Sequence, residues 1–167
     1  MRKIDKLKRR IVLFIINNFL STTKFFTLKR KLLNIGNIKV GKGSKVVGPF
    51  FCGTEVEISI GDNCWIGNNF KVEGNGKIRI ANNCDFAPSV MIITGSHEIS
   101  DRKRAAGRGI DYSIDFEDGC WIGARSTLFG NITIGKLSVI GAMSLVNRTV
   151  EEYCVVAGNP FKLIRKI

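Results

Sequence analysis

The chain contains one histidine, His97, and this is the side chain best suited to proton-transfer chemistry. A neutral imidazole accepts a proton near physiological pH, so His97 has the right chemistry for a general base. The adjacent Glu98 either orients the ring or faces solvent. A lone histidine is more often structural, so its type alone does not decide its role. A single histidine does exclude mechanisms that need several histidine ligands, and no metal site is expected.

The chain interrupts its own regularity directly after His97. Residues 98–113 leave a strict repeat, and a long loop inside such a repeat is rarely kept without a function. The excursion should bring the imidazole to an edge of the fold, which strengthens the catalytic interpretation. The excursion carries several charged side chains, among them Asp101, Arg102, Lys103, Arg104 and Arg108.

The repeat itself is a return of aliphatic or aromatic residues every six positions. A period of six fits neither an α-helix nor a lone strand, whereas three such units make one turn of a three-sided coil. We therefore predict an all-β fold, a parallel β-helix of hexapeptide repeats with about five coils. The stretch Cys-Trp-Ile-Gly occurs at 64–67 and at 120–123, and is then expected to form the same corner of the coil on two different turns. The longest set is Phe116, Ile122, Leu128, Ile134, Ile140 and Val146.

Small residues occupy the position two before several of these recurring apolar residues, a position that also points inward because side chains alternate along a strand. Three of the five cysteines lie there, so they are expected to be buried and chemically silent. The odd number of cysteines and the lack of a CxxC pair disfavour a disulfide framework or a zinc site, and favour a reducing compartment. The inward set is Ser44, Cys64, Cys84, Cys120, Ser126, Ser138 and Ser144.

The N-terminal segment is basic and amphipathic, in a chain whose formal net charge is +12. This charge favours anionic partners, but no nucleic-acid-binding module is recognisable. The segment is either a helical cap, packed on the domain or on a neighbouring subunit, or a helix lying on an anionic membrane. Its apolar run at 11–16 is too short to span a bilayer. The apolar stripe is Ile4, Leu7, Ile11, Phe14 and Ile15, with Lys3, Lys6, Arg9 and Arg10 on much of the opposite side.

The sequence from about residue 58 to the last residue resembles the hexapeptide-repeat acyltransferases, which fold as left-handed parallel β-helices. The specific marks are Thr-Gly-Ser-His ending at His97, Cys-Trp-Ile-Gly-Ala at 120–124, Ile-Gly-Ala at 140–142 and Ala-Gly-Asn-Pro-Phe-Lys-Leu-Ile-Arg at 157–165. The chain is most similar to sugar O-acetyltransferases of the maltose, galactoside, nodulation and surface-polysaccharide types.

The resemblance implies a direct transfer in which His97 deprotonates an acceptor hydroxyl that attacks the thioester of acetyl-CoA. It also implies a homotrimer with active sites between subunits. Glu73, followed by Asn75, stands where close relatives often hold an acceptor-binding Asn; Glu98 and Arg108 are further candidates for acceptor contact. The residues expected to bind coenzyme A are Trp121, Ala124 and Ala142 along the pantetheine arm, and Asn147, Arg148, Lys162 and Arg165 near the nucleotide.

The sequence thus divides into a basic helical segment (1–36), a β-helix (37–156) with a protruding loop (98–113), and a basic tail (157–167). The leading hypothesis is an acetyl-CoA-dependent O-acetyltransferase acting on a sugar in bacterial surface-polysaccharide synthesis. It would be cytoplasmic, with or without peripheral contact to the inner face of the cell membrane. The alternatives are an N-acetyltransferase on a nucleotide-linked amino sugar and a purely structural solenoid.

Overall fold

The computed structural model of the chain describes residues 2–100 and 103–167. Two helices come first, α1 at Lys3–Phe19 and α2 at Phe26–Ile35. Short strands form most of the remaining structure. In chain order they are β1 Lys39–Val40, β2 Lys45–Val46, β3 Phe50–Cys52, β4 Glu57–Ile60, β5 Trp65–Ile66, β6 Phe70–Glu73, β7 Lys77–Ile80, β8 Asp85–Phe86, β9 Met91–Ile93, β10 Gly95–Ile99, β11 Ala106–Asp111, β12 Ser113–Phe116, β13 Trp121–Ile122, β14 Thr127–Phe129, β15 Ile132–Ile134, β16 Val139–Ile140, β17 Leu145–Val146, β18 Cys154–Gly158 and β19 Phe161–Lys166.

Three sheets form the sides of the predicted prism. Sheet A contains β1, β4, β7, β12 and β15; sheet B contains β2, β5, β8, β13, β16, β18 and β19; sheet C contains β3, β6, β9, β14 and β17. Their strands pair in parallel, except that β19 returns antiparallel to β18. Five turns visit all three sheets, and Val150, bridged to Ile134, begins a partial sixth with β18. The predicted parallel β-helix is confirmed, with about six turns instead of about five.

The register follows from the six-residue period. Ile58 pairs with Ile78, and Ile78 pairs with Ile114 across the excursion, so equivalent segments of successive repeats stack on sheet A. Hexad residues are buried, and four phenylalanines form a continuous column inside the prism. The ring centroids are 5.3 Å apart for Phe50 and Phe70, and 5.4 Å for Phe70 and Phe86. Such aromatic pairs add about 0.5–1.5 kcal/mol each beyond their buried area.

The small inward residues are buried as predicted, and they join successive coils. Ser44 Oγ donates to the Gly61 carbonyl at 2.6 Å, and Cys64 Sγ donates to the Ala81 carbonyl, one coil later, at 3.1 Å. Cys84 and Cys120 continue this ladder, and the five cysteines are free thiols. A hydrogen bond with Cys120 and burial together raise the pKa of Cys84 to about 12. The Cys84 thiol is therefore un-ionised at neutral pH.

The helical prediction for the N-terminal segment is confirmed, but α1 packs through a face that the apolar stripe did not indicate. The side chain of Arg9 is 1% exposed, and its guanidinium donates to five backbone carbonyls at the first coil. Those carbonyls lie at the edge of the first coil, so a buried cation with several N–H donors satisfies them. The stripe instead faces solvent, with Leu7 56% and Phe14 61% exposed.

Lys29 on α2 is a second buried cation that ties the helices to the coil. Its ammonium donates to the Thr22 carbonyl at 2.5 Å and to the Val47 carbonyl at 2.8 Å. Burial lowers the pKa of Lys29 to about 8. Among the described residues, no helix combines the length and apolarity needed to cross a membrane.

The two segments that depart from the repeat, the predicted loop 98–113 and the predicted tail 157–167, both contain strands. Within the predicted loop 98–113, β10 and β11 pair as an antiparallel hairpin that begins at Gly95, and Ser113 already belongs to β12. Asp101 and Arg102 lie outside the described residues. The predicted tail contains β19, which Arg148 anchors by donating to the Phe161 carbonyl at 3.0 Å and lying 4.2 Å from the centre of that ring.

Candidate active site

His97 lies on β10, at the base of the hairpin that leaves the corner between sheets C and A. Its Nδ1 is 3.0 Å from the carbonyl oxygen of Gly107 on β11. A carbonyl oxygen only accepts, so Nδ1 carries the proton in this contact and donates it. In the neutral ring the lone pair is then on Nε2. The hairpin therefore fixes the tautomer that a general base at Nε2 needs.

Glycines on β11 leave the imidazole accessible. His97 pairs directly with Gly109, and a Cβ added at Gly109 would meet nothing within 4 Å. Directly opposed residues of an antiparallel pair project to the same face, so a side chain at 109 would stand beside the ring. Its absence leaves open space there, and the imidazole is exposed to solvent.

His97, Glu73 and Asn75 line one cavity of about 360 Å³, within the usual range for small-molecule sites. Glu73 ends β6 on the adjoining coil, and its Oε1 is 2.5 Å from Lys71 Nζ on the same strand. The structure thus brings together the predicted base and two predicted acceptor residues, at one corner of the prism. A carboxylate, an amide and an imidazole around one cavity can orient and deprotonate a polyhydroxylated ligand.

Glu98 and Arg108 do not line this cavity. Both are exposed on the hairpin. Glu98 follows His97 on β10, and Arg108 precedes Gly109, the residue that pairs with His97, on β11. Side chains alternate along a strand, so Arg108, between Gly107 and Gly109, projects to the other face of β11. The assignment of these two residues to the acceptor stays a prediction.

Sequence reasoning missed Ser96 and Asp111, which also line the cavity. Asp111 was treated as part of an unpaired loop, whereas it pairs with Gly95 and so returns to the site. A signal was available in the glycines at 107 and 109 and the alternation around them, which suit a hairpin returning to His97.

The residues predicted to contact the pantetheine arm lie on sheet B and on the corner between sheets B and C. Trp121 projects from β13 and is 56% exposed, and Ala124 follows at the corner. Neither the Ala124 nor the Ala142 backbone N–H has a hydrogen-bond partner among the described residues, although the Ala124 carbonyl accepts from Met143. Unpaired amides at two successive coils can donate to the amide carbonyls of an extended ligand.

The basic residues assigned to the nucleotide end differ in their surroundings. Lys162 and Arg165 are exposed on β19 at the edge of sheet B, and Asn147 is exposed after β17. Arg148 is different, because its guanidinium is occupied by the Phe161 ring and carbonyl. We therefore expect Lys162 and Arg165 to be more available to a phosphate than Arg148.

Within one chain, His97 lies across sheet C from Ala124 and Ala142, whereas Asn147, which follows β17, lies at the same corner as the hairpin. β9 crosses sheet C from the corner near Ala124 to the corner where the His97 hairpin begins. At about 3.3 Å per residue, that crossing separates the two corners by roughly 15–20 Å. A ligand that contacts both His97 and the Ala124 and Ala142 amides of one chain would have to span this distance.

Sequence comparison finds that the chain is similar to acetyltransferases. A Saccharomyces cerevisiae protein with a provisional acetyltransferase name is 39% identical over 119 residues, covering 71% of this chain and 61% of that protein. The galactoside O-acetyltransferase of Escherichia coli is 30% identical over 128 residues, covering 77% of this chain and 63% of that enzyme. The chain thus spans about three fifths of the length of these curated relatives. No protein-family model matches the chain.

Structural comparison gives the same result over nearly the whole chain. The hexapeptide-repeat acetyltransferase VCA0836 of Vibrio cholerae superimposes with a TM-score of 0.84 and 28% identity, covering 98% of this chain and 91% of the other. Its complex with acetyl coenzyme A gives 0.82 and 27%, with 98% and 87% covered. A maltose O-acetyltransferase from Clostridium difficile gives 0.81 and 26%, with the same coverage. The fold is therefore the left-handed β-helix of these acetyltransferases.

Proposed function

Because the chain belongs to the hexapeptide-repeat acyltransferase family, we propose that it transfers the acetyl group of acetyl-CoA to a hydroxyl of a sugar. The observation that carries this proposal is the tautomer of His97. Its Nδ1 is engaged by the Gly107 carbonyl, which leaves Nε2 as the basic nitrogen beside the cavity. The galactoside and maltose enzymes among the related proteins support a sugar as the acceptor.

His97 takes up the proton of the acceptor hydroxyl at Nε2 while that oxygen attacks the thioester carbonyl. The imidazolium then returns the proton to the departing thiolate as the C–S bond breaks, so the products are an acetyl ester and free coenzyme A. A backbone N–H at the site would stabilise the oxyanion. The buried cysteine ladder takes no part, because the transfer needs no acyl-enzyme.

We further propose that the enzyme is a homotrimer with its active sites between subunits. The separation of His97 from Ala124 and Ala142 across sheet C supports this arrangement. One subunit would present the hairpin and the acceptor cavity, and its neighbour would present the unpaired amides, Trp121 and the basic strand β19. The complex of acetyl coenzyme A with the Vibrio cholerae protein supports acetyl-CoA as the donor.

The exposed stripe of α1 supports a position on the inner face of the cell membrane and an acceptor used in surface-polysaccharide synthesis. Large apolar side chains face solvent along one side of the helix, and exposed Lys3, Lys8 and Arg10 flank them. This combination is typical of helices that lie on anionic bilayers. A lipid-linked sugar would then be within reach of the cavity.

The test is a screen of the full chain with acetyl-CoA and free, nucleotide-linked and lipid-linked sugars, read as released thiol. Amino sugars should be included, because product analysis then separates ester from amide formation. We expect His97→Ala to lower turnover by at least about 10²-fold, the usual scale for loss of a general base. Ile99→Ala is the matched control, because Ile99 lies on the same strand and is 95% exposed.

Far-UV circular dichroism and thermal melting should show that both variants keep the fold. A His97→Ala protein that is folded and turns over at the wild-type rate would exclude the proposed mechanism. Transfer to amines alone would favour the N-acetyltransferase alternative over O-acetylation.

A further inference from the structure

A groove of about 540 Å³ adjoins the His97 cavity on the outer face of sheet C. Residues 73–75 line both spaces, so a ligand in one can extend into the other. α1 forms a wall through Arg10 and Asn17, while Phe51 and Lys71 project from the sheet beneath. We call this the sheet C groove. It has no place in the proposed transfer step, which needs only the cavity around His97.

Arg10 gives the groove an unneutralised positive charge. Lys71 is held by Glu73, with Nζ 2.5 Å from Oε1, and Lys6 on the same helix is paired with Glu55. Arg10 is exposed, and within residues 2–100 and 103–167 its side chain has no hydrogen bond or ion pair. A guanidinium in this state is suited to bidentate binding of a phosphate or carboxylate.

The rest of the groove is rigid and suits a sugar ring. The Asn17 amide donates to the Phe50 carbonyl at 3.0 Å and accepts from the Phe50 N–H at 2.8 Å, which fixes α1 against β3. Phe51, directly beside Lys71 in register, is 42% exposed and presents an aromatic surface. An aromatic face supplies a large apolar contact area at small entropic cost, and the C–H face of a pyranose can lie against it.

We propose that the sheet C groove binds an anionic group, a phosphate or a carboxylate, carried by the acceptor, and that Arg10 is the residue that recognises it. This inference rests on the proposed function, since the same acceptor must place a hydroxyl beside His97. Anionic acceptors would be selected over neutral sugars of the same size. The basic charge of the chain as a whole would attract them to the site.

The experiment compares glucose, glucose 1-phosphate and glucuronic acid as matched acceptors, with N-acetylglucosamine, its 1-phosphate and UDP-N-acetylglucosamine as a second series. We expect kcat/KM to be at least about tenfold higher for charged members, the scale of one charge-assisted hydrogen bond. Arg10→Ala should remove this preference and leave neutral acceptors unchanged. Lys8→Ala is the control, because Lys8 is exposed on α1 and does not line the groove. The two charged glucose derivatives separate phosphate from carboxylate recognition.

Isothermal titration of the same ligands keeps the inference separate from the proposed function. Binding of charged sugars that Arg10→Ala weakens by about tenfold, without any acetylation, would support the groove and remove the proposed activity. Acetylation of neutral and charged sugars with equal kcat/KM would overturn the groove and leave the activity intact. An equal loss with all acceptors in Arg10→Ala would also overturn it, because the contribution of Arg10 would then not depend on the charge of the acceptor.

Discussion

At the level of single residues, the fold treats its histidine and its cysteines in opposite ways. His97 is exposed on a hairpin, and one hydrogen bond selects its tautomer. Cys84 and Cys120 are 0% exposed and donate to carbonyls of the next coil. Burial shields both thiols from a substrate, and the raised pKa of Cys84 leaves little of its reactive thiolate form at neutral pH. Nucleophilic catalysis by these cysteines is therefore disfavoured.

Replacing Cys120 with Ser should leave activity within about twofold of wild type. Ser138 occupies the equivalent position one coil later, and its Oγ donates to the Glu151 carbonyl at 2.6 Å. A hydroxyl at 120 can therefore make the same contact. Cys120→Leu, which removes the donor and adds volume to a close-packed interior, should cost roughly 1–3 kcal/mol. Thermal melting and the thiol-release assay measure both effects; inactivity of a folded Cys120→Ser protein would show that the thiol has a chemical role.

Some residue assignments could be predicted from the sequence, and others could not. The burial of Cys64, Cys84 and Cys120 followed from the period, because equivalent positions in a repeat share an environment. Arg9 did not, since its burial depends on carbonyls left unpaired at the edge of a coil that lies 27 to 47 residues away. Long-range polar satisfaction of this kind has no local signature.

At the level of elements, the coils could be predicted from the sequence, whereas the β10–β11 hairpin and the packing of helix α1 could be predicted only in part. Parallel coils repeat a six-residue sequence pattern, so strand order, register and the inward-facing residues could be predicted together. The β10–β11 hairpin pairs antiparallel segments with no shared phrase, and its register shifts between His97 and Ile99. It was predicted only as a break in the pattern. That sufficed to locate His97 at an edge, but not to return Asp111 to the cavity.

Helix α1 shows why an amphipathic pattern does not by itself give orientation. Two faces of the helix are apolar enough to pack, one with Val12 and Ile16 and one with Leu7, Ile11 and Phe14. The buried face was decided by Arg9 and its carbonyl partners. The face that sequence hydrophobicity favoured is left exposed, which is costly unless a lipid surface or a protein covers it.

We expect Leu7→Asp combined with Ile11→Asp to reduce binding to anionic vesicles by at least about tenfold. Each insertion of such a side chain into a bilayer is worth about 1.5–3 kcal/mol, and a carboxylate adds repulsion from anionic lipid. Cosedimentation with phosphatidylglycerol vesicles measures the effect, and phosphatidylcholine vesicles should bind weakly throughout. Ile164→Asp is the control, because Ile164 is 61% exposed on β19 at the other end of the molecule.

Both α1 positions are about half exposed, so the double variant should keep its thermal midpoint. If the stripe is instead a contact between subunits, the variant would change the molar mass in light scattering and leave vesicle binding as it was. That result would contradict the membrane proposal.

At the level of the whole molecule, His97 and the amides of Ala124 and Ala142 lie at different corners of the prism. The proposed transfer therefore makes a specific demand on how the chains assemble. A closed ring of three chains can place the His97 corner of each subunit against the amide-bearing corner of the next, through a heterologous contact. Every site then contains residues from two chains. The residues at each of the two corners could be predicted from the sequence. The contact between chains that this arrangement requires has no signature in the sequence of one chain.

This demand can be tested by mixing two impaired variants, His97→Ala and the double variant Lys162→Ala with Arg165→Ala. Loss of both basic side chains should weaken acetyl-CoA binding by about tenfold or more, because each can make a charge-assisted hydrogen bond to phosphate. Assays at low acetyl-CoA then show little activity in either protein alone. In a mixed ring, one of three sites joins an intact His97 to an intact basic strand. After random exchange at equal amounts, about three quarters of rings are mixed, so about one quarter of wild-type activity should return. The mixture is measured by thiol release, and affinity capture through a tag on one variant verifies that mixed rings form. Mixed rings without recovered activity would show that each chain builds its site alone, and the division of labour across sheet C would be wrong.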